Sequence, residues 1–198
     1  MKKNINLELG KYFLEEHCYD LAINALSKAI SLDPNNAQLY DFRGIAYTSN
    51  LEHEEAIDDF NTAIKIDNQL AAAYNNRALS FWALDKIEEA LDDINKAIDL
   101  DPDVAVFFAN RGLIQHEKGN YQEAIFDYSL AMILGFIDIA AYNGRGEAFA
   151  ALGEFDKALG DFNQALALNP NDIFAFANYA LVSRLIVKRT DESVLDSN

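Results

Sequence analysis

Four of the six arginines stand 34 residues apart, at Arg43, Arg77, Arg111 and Arg145. Sixteen residues after each comes an aspartate: Asp59, Asp93, Asp127 and Asp161. Two chemistries use such columns. A guanidinium can fork onto a carboxylate through two nitrogens and tie two chain segments together. Alternatively, four evenly spaced cations can form a ladder that grips an acidic peptide. The two columns vanish together, since the same places one period earlier hold Leu9 and Ala25. That joint loss favours structural ion pairs, each arginine with the aspartate of its own copy. Pairing with the preceding copy would set Arg43 against Ala25.

Other reactive residue types lack the company that chemistry needs. His17-Cys18 has no second ligand pair at metal spacing, and His53-Glu54-Glu55 is not the H-E-x-x-H arrangement. Cys18 has no identifiable activating base. Gly144-Arg145-Gly146 lacks the third glycine and preceding strand of a phosphate loop. No catalytic residue, metal site or cofactor is expected, and the chain is expected not to be an enzyme.

The 34-residue spacing extends to the whole sequence. Numbering each unit from 1 to 34 gives units 3–36, 37–70, 71–104, 105–138 and 139–172. Position 8 reads Gly10, Gly44, Ala78, Gly112, Gly146; position 20 reads Ala22, Ala56, Ala90, Ala124, Ala158; position 27 reads Ala29, Ala63, Ala97, Ala131, Ala165. A fixed period of this size is the mark of a stacked array. Within a unit, Tyr74, Arg77, Ala78 and Phe81 recur at three- and four-residue spacing, as do Ile87, Ala90, Leu91, Ile94, Ala97 and Ile98. Two amphipathic helices per unit follow, at roughly positions 2–14 and 18–31. Gly119 and Gly153 suit a left-handed turn between them, and Pro34, Pro102 and Pro170 suit the connection after the second helix. Asn68 and Phe136 stand where proline is usual, so different bends are expected there. Small residues at 8, 20 and 27 allow close helix approach. Large ones at 4, 11, 17 and 24, such as Tyr40, Tyr47 and Phe60, fill the space between.

This pattern resembles the tetratricopeptide repeat (TPR). The resemblance implies an all-α fold, a right-handed TPR superhelix (an α-solenoid) of five helix-turn-helix repeats over 3–172. A C-terminal capping helix over 173–189 and a disordered tail over 190–198 complete it. The resemblance further implies that first helices line a concave groove binding a peptide segment or a partner protein. Residues assigned to that groove are Asp41, Ile45, Asn75, Leu79, Trp82, Asn110, Leu113, His116, Asn143 and Glu147. Trp82 is the candidate anchor. The lysines of a chaperone-binding carboxylate clamp are missing, because position 5 holds Leu7, Asp41, Asn75, Ala109 and Asn143.

Of the 198 residues, 51% are hydrophobic, enough for a core, and no apolar run is long enough for a membrane span. Lys2 and Lys3 are not followed by an apolar stretch, so no secretory signal is expected. A single cysteine permits no internal disulfide and fits a cytoplasmic setting. The net charge of −16 disfavours nucleic acid and anionic membrane, and biases a partner toward neutral or basic character. A non-catalytic scaffold or adaptor is therefore the expected function. The competing readings are a small-ligand-binding or enzymatic protein and a self-associating module. A homodimer would form through the C-terminal helix if Leu185, Ile186 and Val187 share an exposed face.

Overall fold

The computed structural model describes residues 5–195, with side chains through Arg189. These residues form eleven α-helices and no strand: α1 (Ile5–Glu15), α2 (Tyr19–Leu32), α3 (Ala37–Ser49), α4 (His53–Ile66), α5 (Ala71–Ala83), α6 (Ile87–Leu100), α7 (Ala105–Glu117), α8 (Tyr121–Ile133), α9 (Ile139–Ala151), α10 (Phe155–Leu168) and α11 (Ile173–Leu195). The first ten make five helix pairs in the 34-residue register.

Each pair is closed by the same three-residue turn. The N–H groups of Cys18, Glu52, Lys86, Asn120 and Glu154 donate to the carbonyls of Phe13, Tyr47, Phe81, Gln115 and Phe149 at 2.8–2.9 Å. This six-to-one bond requires a left-handed residue in between. Gly119 and Gly153 supply it with φ of 84° and 75°, but His17, Leu51 and Asp85 adopt it too, with φ of 57°, 65° and 59°. Closure of the pair outweighs the local cost of a side chain there.

The connections between pairs answer the two missing prolines differently. At Asn68 nothing changes: α4 ends at the same register as α2, α6 and α10, and Asp67 Oδ1 accepts from the N–H of Gln69 at 3.0 Å. The same side-chain turn forms beside Pro170, where Asn169 Oδ1 accepts from the N–H of Asn171 at 3.1 Å, and the bend expected at Asn68 is absent. At Phe136 the connection does differ. There α8 stops one residue early, Gly135 takes φ of 94°, and the Phe136 N–H bonds to the Ala131 carbonyl at 2.9 Å.

Contacts divide the chain into two compact units, Met1–Asp103 with α1 to α6 and Val104–Asn198 with α7 to α11. In the first, α1 touches α3 and α3 touches α5; in the second, α7 touches α9 and α9 touches α11. The second helices of adjacent pairs do not meet within either unit among the described residues. Each unit therefore curves with its first helices on the tighter, inner side.

The small columns act as seats. A Cβ on Gly44 would lie 2.5 Å from Phe60 Cε1, one on Gly10 would lie 2.5 Å from Leu26 Cγ, and one on Gly146 would lie 2.6 Å from Phe162 Cε1. Phe60, Leu26 and Phe162 are fully buried. Position 24 thus lies flat on position 8 of its own pair, and the alanines at 20 and 27 are fully buried on either side.

The last helix, α11, packs Ala175, Tyr179, Val182 and Ile186 inward, the latter three against Phe155, Phe162 and their neighbours. Ile186 therefore does not share an exposed face with Leu185 and Val187. The outer side instead shows Phe174, Leu181 and Leu185 at i, i+7 and i+11. The helix also runs to Leu195, where a disordered tail from 190 was expected; no glycine or proline interrupts 173–198. Residues 196–198 of that tail lie outside the described residues.

Two glycines separate packing from propensity. Gly44→Ala should destabilise by about 1–3 kcal/mol through overpacking. Gly160→Ala, in the exposed middle of α10 with nothing within 4 Å, should stabilise by about 0.5–1 kcal/mol. Urea unfolding of both variants reads the two signs.

Candidate functional site

Each position-7 arginine forks onto the position-23 aspartate of its own pair. Arg43 Nε and Nη2 reach Asp59 Oδ2 and Oδ1 at 2.7 Å each. Arg77 reaches Asp93 at 2.6 and 2.7 Å, and Arg111 and Arg145 reach Asp127 and Asp161 at 2.8 and 2.7 Å. All four aspartates are buried. Donating these hydrogen bonds to Asp59 raises the pKa of the Arg43 guanidinium above its ordinary value. A cationic ladder is thus not what these side chains present: their charge is committed within the fold.

Two features of this latch escaped the sequence reading. The third guanidinium nitrogen crosses to the preceding pair. Arg43 Nη1 donates to Ser27 Oγ at 2.9 Å, Arg77 Nη1 to Asn61 Oδ1 at 2.5 Å and Arg145 Nη1 to Ser129 Oγ at 3.0 Å. The signal existed, since position 25 reads Ser27, Asn61, Asn95, Ser129 and Asn163. Secondly, the aromatic columns at 4 and 11 flank the arginine besides filling space. Arg43 lies 5.8 Å from the ring centres of both Tyr40 and Tyr47, and Arg77 and Arg145 sit likewise between Tyr74 and Phe81 and between Tyr142 and Phe149. Arg111 has Phe108 on one side only, because Gln115 stands at position 11 and accepts instead from Asn120 Nδ2 at 2.8 Å.

The inner faces divide into groups used by the fold and groups left open. In the first unit, Asp41 and Asn75 are buried rather than open, 7% and 6% exposed. Asn76 Nδ2 donates to Asp41 Oδ1 at 3.0 Å, and Asn75 Nδ2 to Asn76 Oδ1 at 3.0 Å. Burial pushes the Asp41 carboxyl pKa up, against the pull of the Asn76 hydrogen bond. Thr48 and Ser80 share a hydroxyl hydrogen bond of 2.9 Å across the same seam. Ile45, Leu79 and Trp82 are half-buried and form the remaining apolar surface of this face.

In the second unit, Asn110, Leu113, His116, Asn143 and Glu147 are all half-buried. Asn143 Nδ2 donates to Asp172 Oδ1 at 3.2 Å, and Asn178 Nδ2 to Glu147 Oε1 at 2.6 Å. His116 Nε2 stands 3.8 Å from Glu147 Oε2, with its ring edge-on to Tyr121 at 5.4 Å. No group of His, Cys, Asp and Glu able to hold a metal occurs among the described residues. No helix described is long and apolar enough to cross a membrane.

Three substitutions test these assignments. Arg43→Ala strands a buried carboxylate and should cost about 3–5 kcal/mol, whereas Ser27→Ala should cost only about 0.5–1.5 kcal/mol; chemical denaturation separates them. Asp41→Asn should raise the melting temperature at pH 7. A folded-state pKa above the unfolded value makes the ionised carboxylate unfavourable, a cost that grows as pH rises through the folded pKa and is gone below about pH 4. The two melting curves should therefore converge on acidification.

Tetratricopeptide-repeat profiles match residues 5–36, 71–104 and 139–172, and a TPR-repeat profile matches 44–85. No curated protein matches the chain in sequence. Solved structures do match. MamA is 26% identical, with a TM-score of 0.68 over 84% of this chain and 92% of its own. PilF of Pseudomonas aeruginosa is 17% identical, with a TM-score of 0.83 over 94% of this chain and 85% of its own. The first TPR of Spaghetti (RPAP3), bound to the HSP90 peptide SRMEEVD, is 28% identical, with a TM-score of 0.58 over 61% of this chain and 96% of its own. The repeated seat, the repeated latch and these matches have one explanation: the chain belongs to the tetratricopeptide-repeat family.

Proposed function

We propose that this chain is a non-catalytic scaffold whose inner helical faces take a peptide segment or a partner protein. TPR proteins generally mediate protein–protein interactions, and the TPR fold is typically a non-enzymatic scaffold. The observation that carries the reading is the division of labour on the inner faces. The position-7 arginines and the most buried polar groups are committed internally, while Ile45, Leu79 and Trp82 of the first unit and Leu113 and His116 of the second remain partly open. Held on packed helices, such side chains lose little freedom on binding, which lowers the ordering cost.

The Spaghetti TPR binds an acidic peptide. The partner of this chain is of a different character. Its position-5 residues carry no lysine, its four position-7 arginines are paired with aspartates, and its net charge is −16. A neutral or basic segment fits that field.

Affinity capture with the wild type and with Trp82→Ala and Leu113→Asp, each checked for intact helicity, tests the reading. The wild type should retain a defined polypeptide that at least one variant loses. Equal retention by all three overturns the inner-face assignment. Recovery of the chain's own copies alone would point to self-association instead.

A further inference from the structure

Tyr128 is the one tyrosine in the position-24 column, where the other pairs carry Leu26, Phe60, Ile94 and Phe162. The residue is 3% exposed, and its hydroxyl, which has no hydrogen-bond partner among the described residues, is not fully closed off from solvent. The hydroxyl lies over Gly144, close enough that a Cβ there would sit 2.5 Å away. The ring helps line a cleft of about 120 Å³ on the inner side of the second unit. Leu113 and Ala109 of α7, Phe136 of the connection, and Ala140 and Ala141 of α9 form its apolar walls; Asn110 and Asp138 add polar groups.

From this geometry we infer that the cleft is a subsite for one uncharged carboxamide side chain, glutamine or asparagine, of a bound peptide. The inference rests on the inner-face reading above. Size limits the occupant, since a cavity of about 150 Å³ just holds benzene. Burial and the nearby carboxylates of Glu147, Glu117 and Asp127 keep the phenol protonated, its pKa well above the usual tyrosine value. It is therefore available as a donor seeking an acceptor. An alkyl tip would leave that donor unpaired away from water. A carboxylate would accept from it but meets Asp138 and no cation in the lining. An ammonium would find Asp138 but cannot accept from the phenol and would be stripped of water by the apolar walls. A carboxamide supplies a neutral acceptor for Tyr128 and donors for the polar rim.

The test uses the full chain and four capped tripeptides, acetyl-Ala-X-Ala-amide with X as Gln, Leu, Glu or Lys, titrated by NMR on the Leu113 and Ala141 methyl signals. Tyr128→Phe is the control, and it restores the residue type that two other pairs already pack at this place. The Gln peptide should bind saturably and about tenfold more tightly than the Leu, Glu and Lys peptides. Tyr128→Phe should erase the preference for Gln over Leu. Absence of Gln binding, preference for another peptide, or an unchanged preference in Tyr128→Phe overturns the proposal. Loss of a captured partner by Trp82→Ala, which lies in the other unit, would leave the inner-face reading standing even then.

Discussion

A flat aromatic or aliphatic side chain resting on a residue with little or no side chain is the contact on which every helix pair depends. At Gly44, Phe60 occupies the volume that a Cβ would need, and the same seat recurs under Leu26, Tyr128 and Phe162. Helices that approach this closely exclude water from the position-20 and position-27 alanines beside the seat. The close approach also brings position 7 of the first helix within reach of position 23 of the second. The ion pairs are thus a consequence of the packing, and their two-nitrogen geometry then fixes the rotation of one helix about the other.

The arginine latch also explains how one pair holds the next. A guanidinium has more donors than a carboxylate fork uses, and the spare nitrogen of Arg43, Arg77 and Arg145 reaches the preceding pair. Aromatic rings at positions 4 and 11 limit its freedom and favour the cation electrostatically. Lysine, with a single flexible charge and no planar fork, could not make these contacts at once. The first pair lacks the latch, having Leu9 and Ala25, and there Lys11 sits 4.7 Å over the Phe42 ring instead.

The repeated contacts do not consume every side chain of the inner faces. Because the same internal contacts recur, the residues that differ from unit to unit are free to vary on the inner faces: Trp82 on α5, His116 and Leu113 on α7, Glu147 on α9. Tyr128 shows the same principle from beneath. It keeps the seat of a core aromatic but adds a hydroxyl that the core does not need.

Much of this was legible in the amino-acid order. Period, helix pairing, the small columns and the partner of each arginine all depend on contacts repeated at constant spacing, and repetition makes a local interaction visible as a column. What happens between columns was not. The left-handed Leu51 and Asp85, the unbent connection at Asn68 and the helical extension to Leu195 each depend on a balance of small local terms that residue identity alone does not resolve. Likewise, first-helix positions that share a face by periodicity differ in how deeply the neighbouring pair covers them. Asp41 and Asn75 are buried while Ile45 and Leu79 stay half-open, because coverage is set by the offset of one helix pair against the next. Sequence thus determined which residues recur and pair. Only the tertiary arrangement decided which of them remain exposed, since exposure is a property of stacked surfaces and not of any single helix.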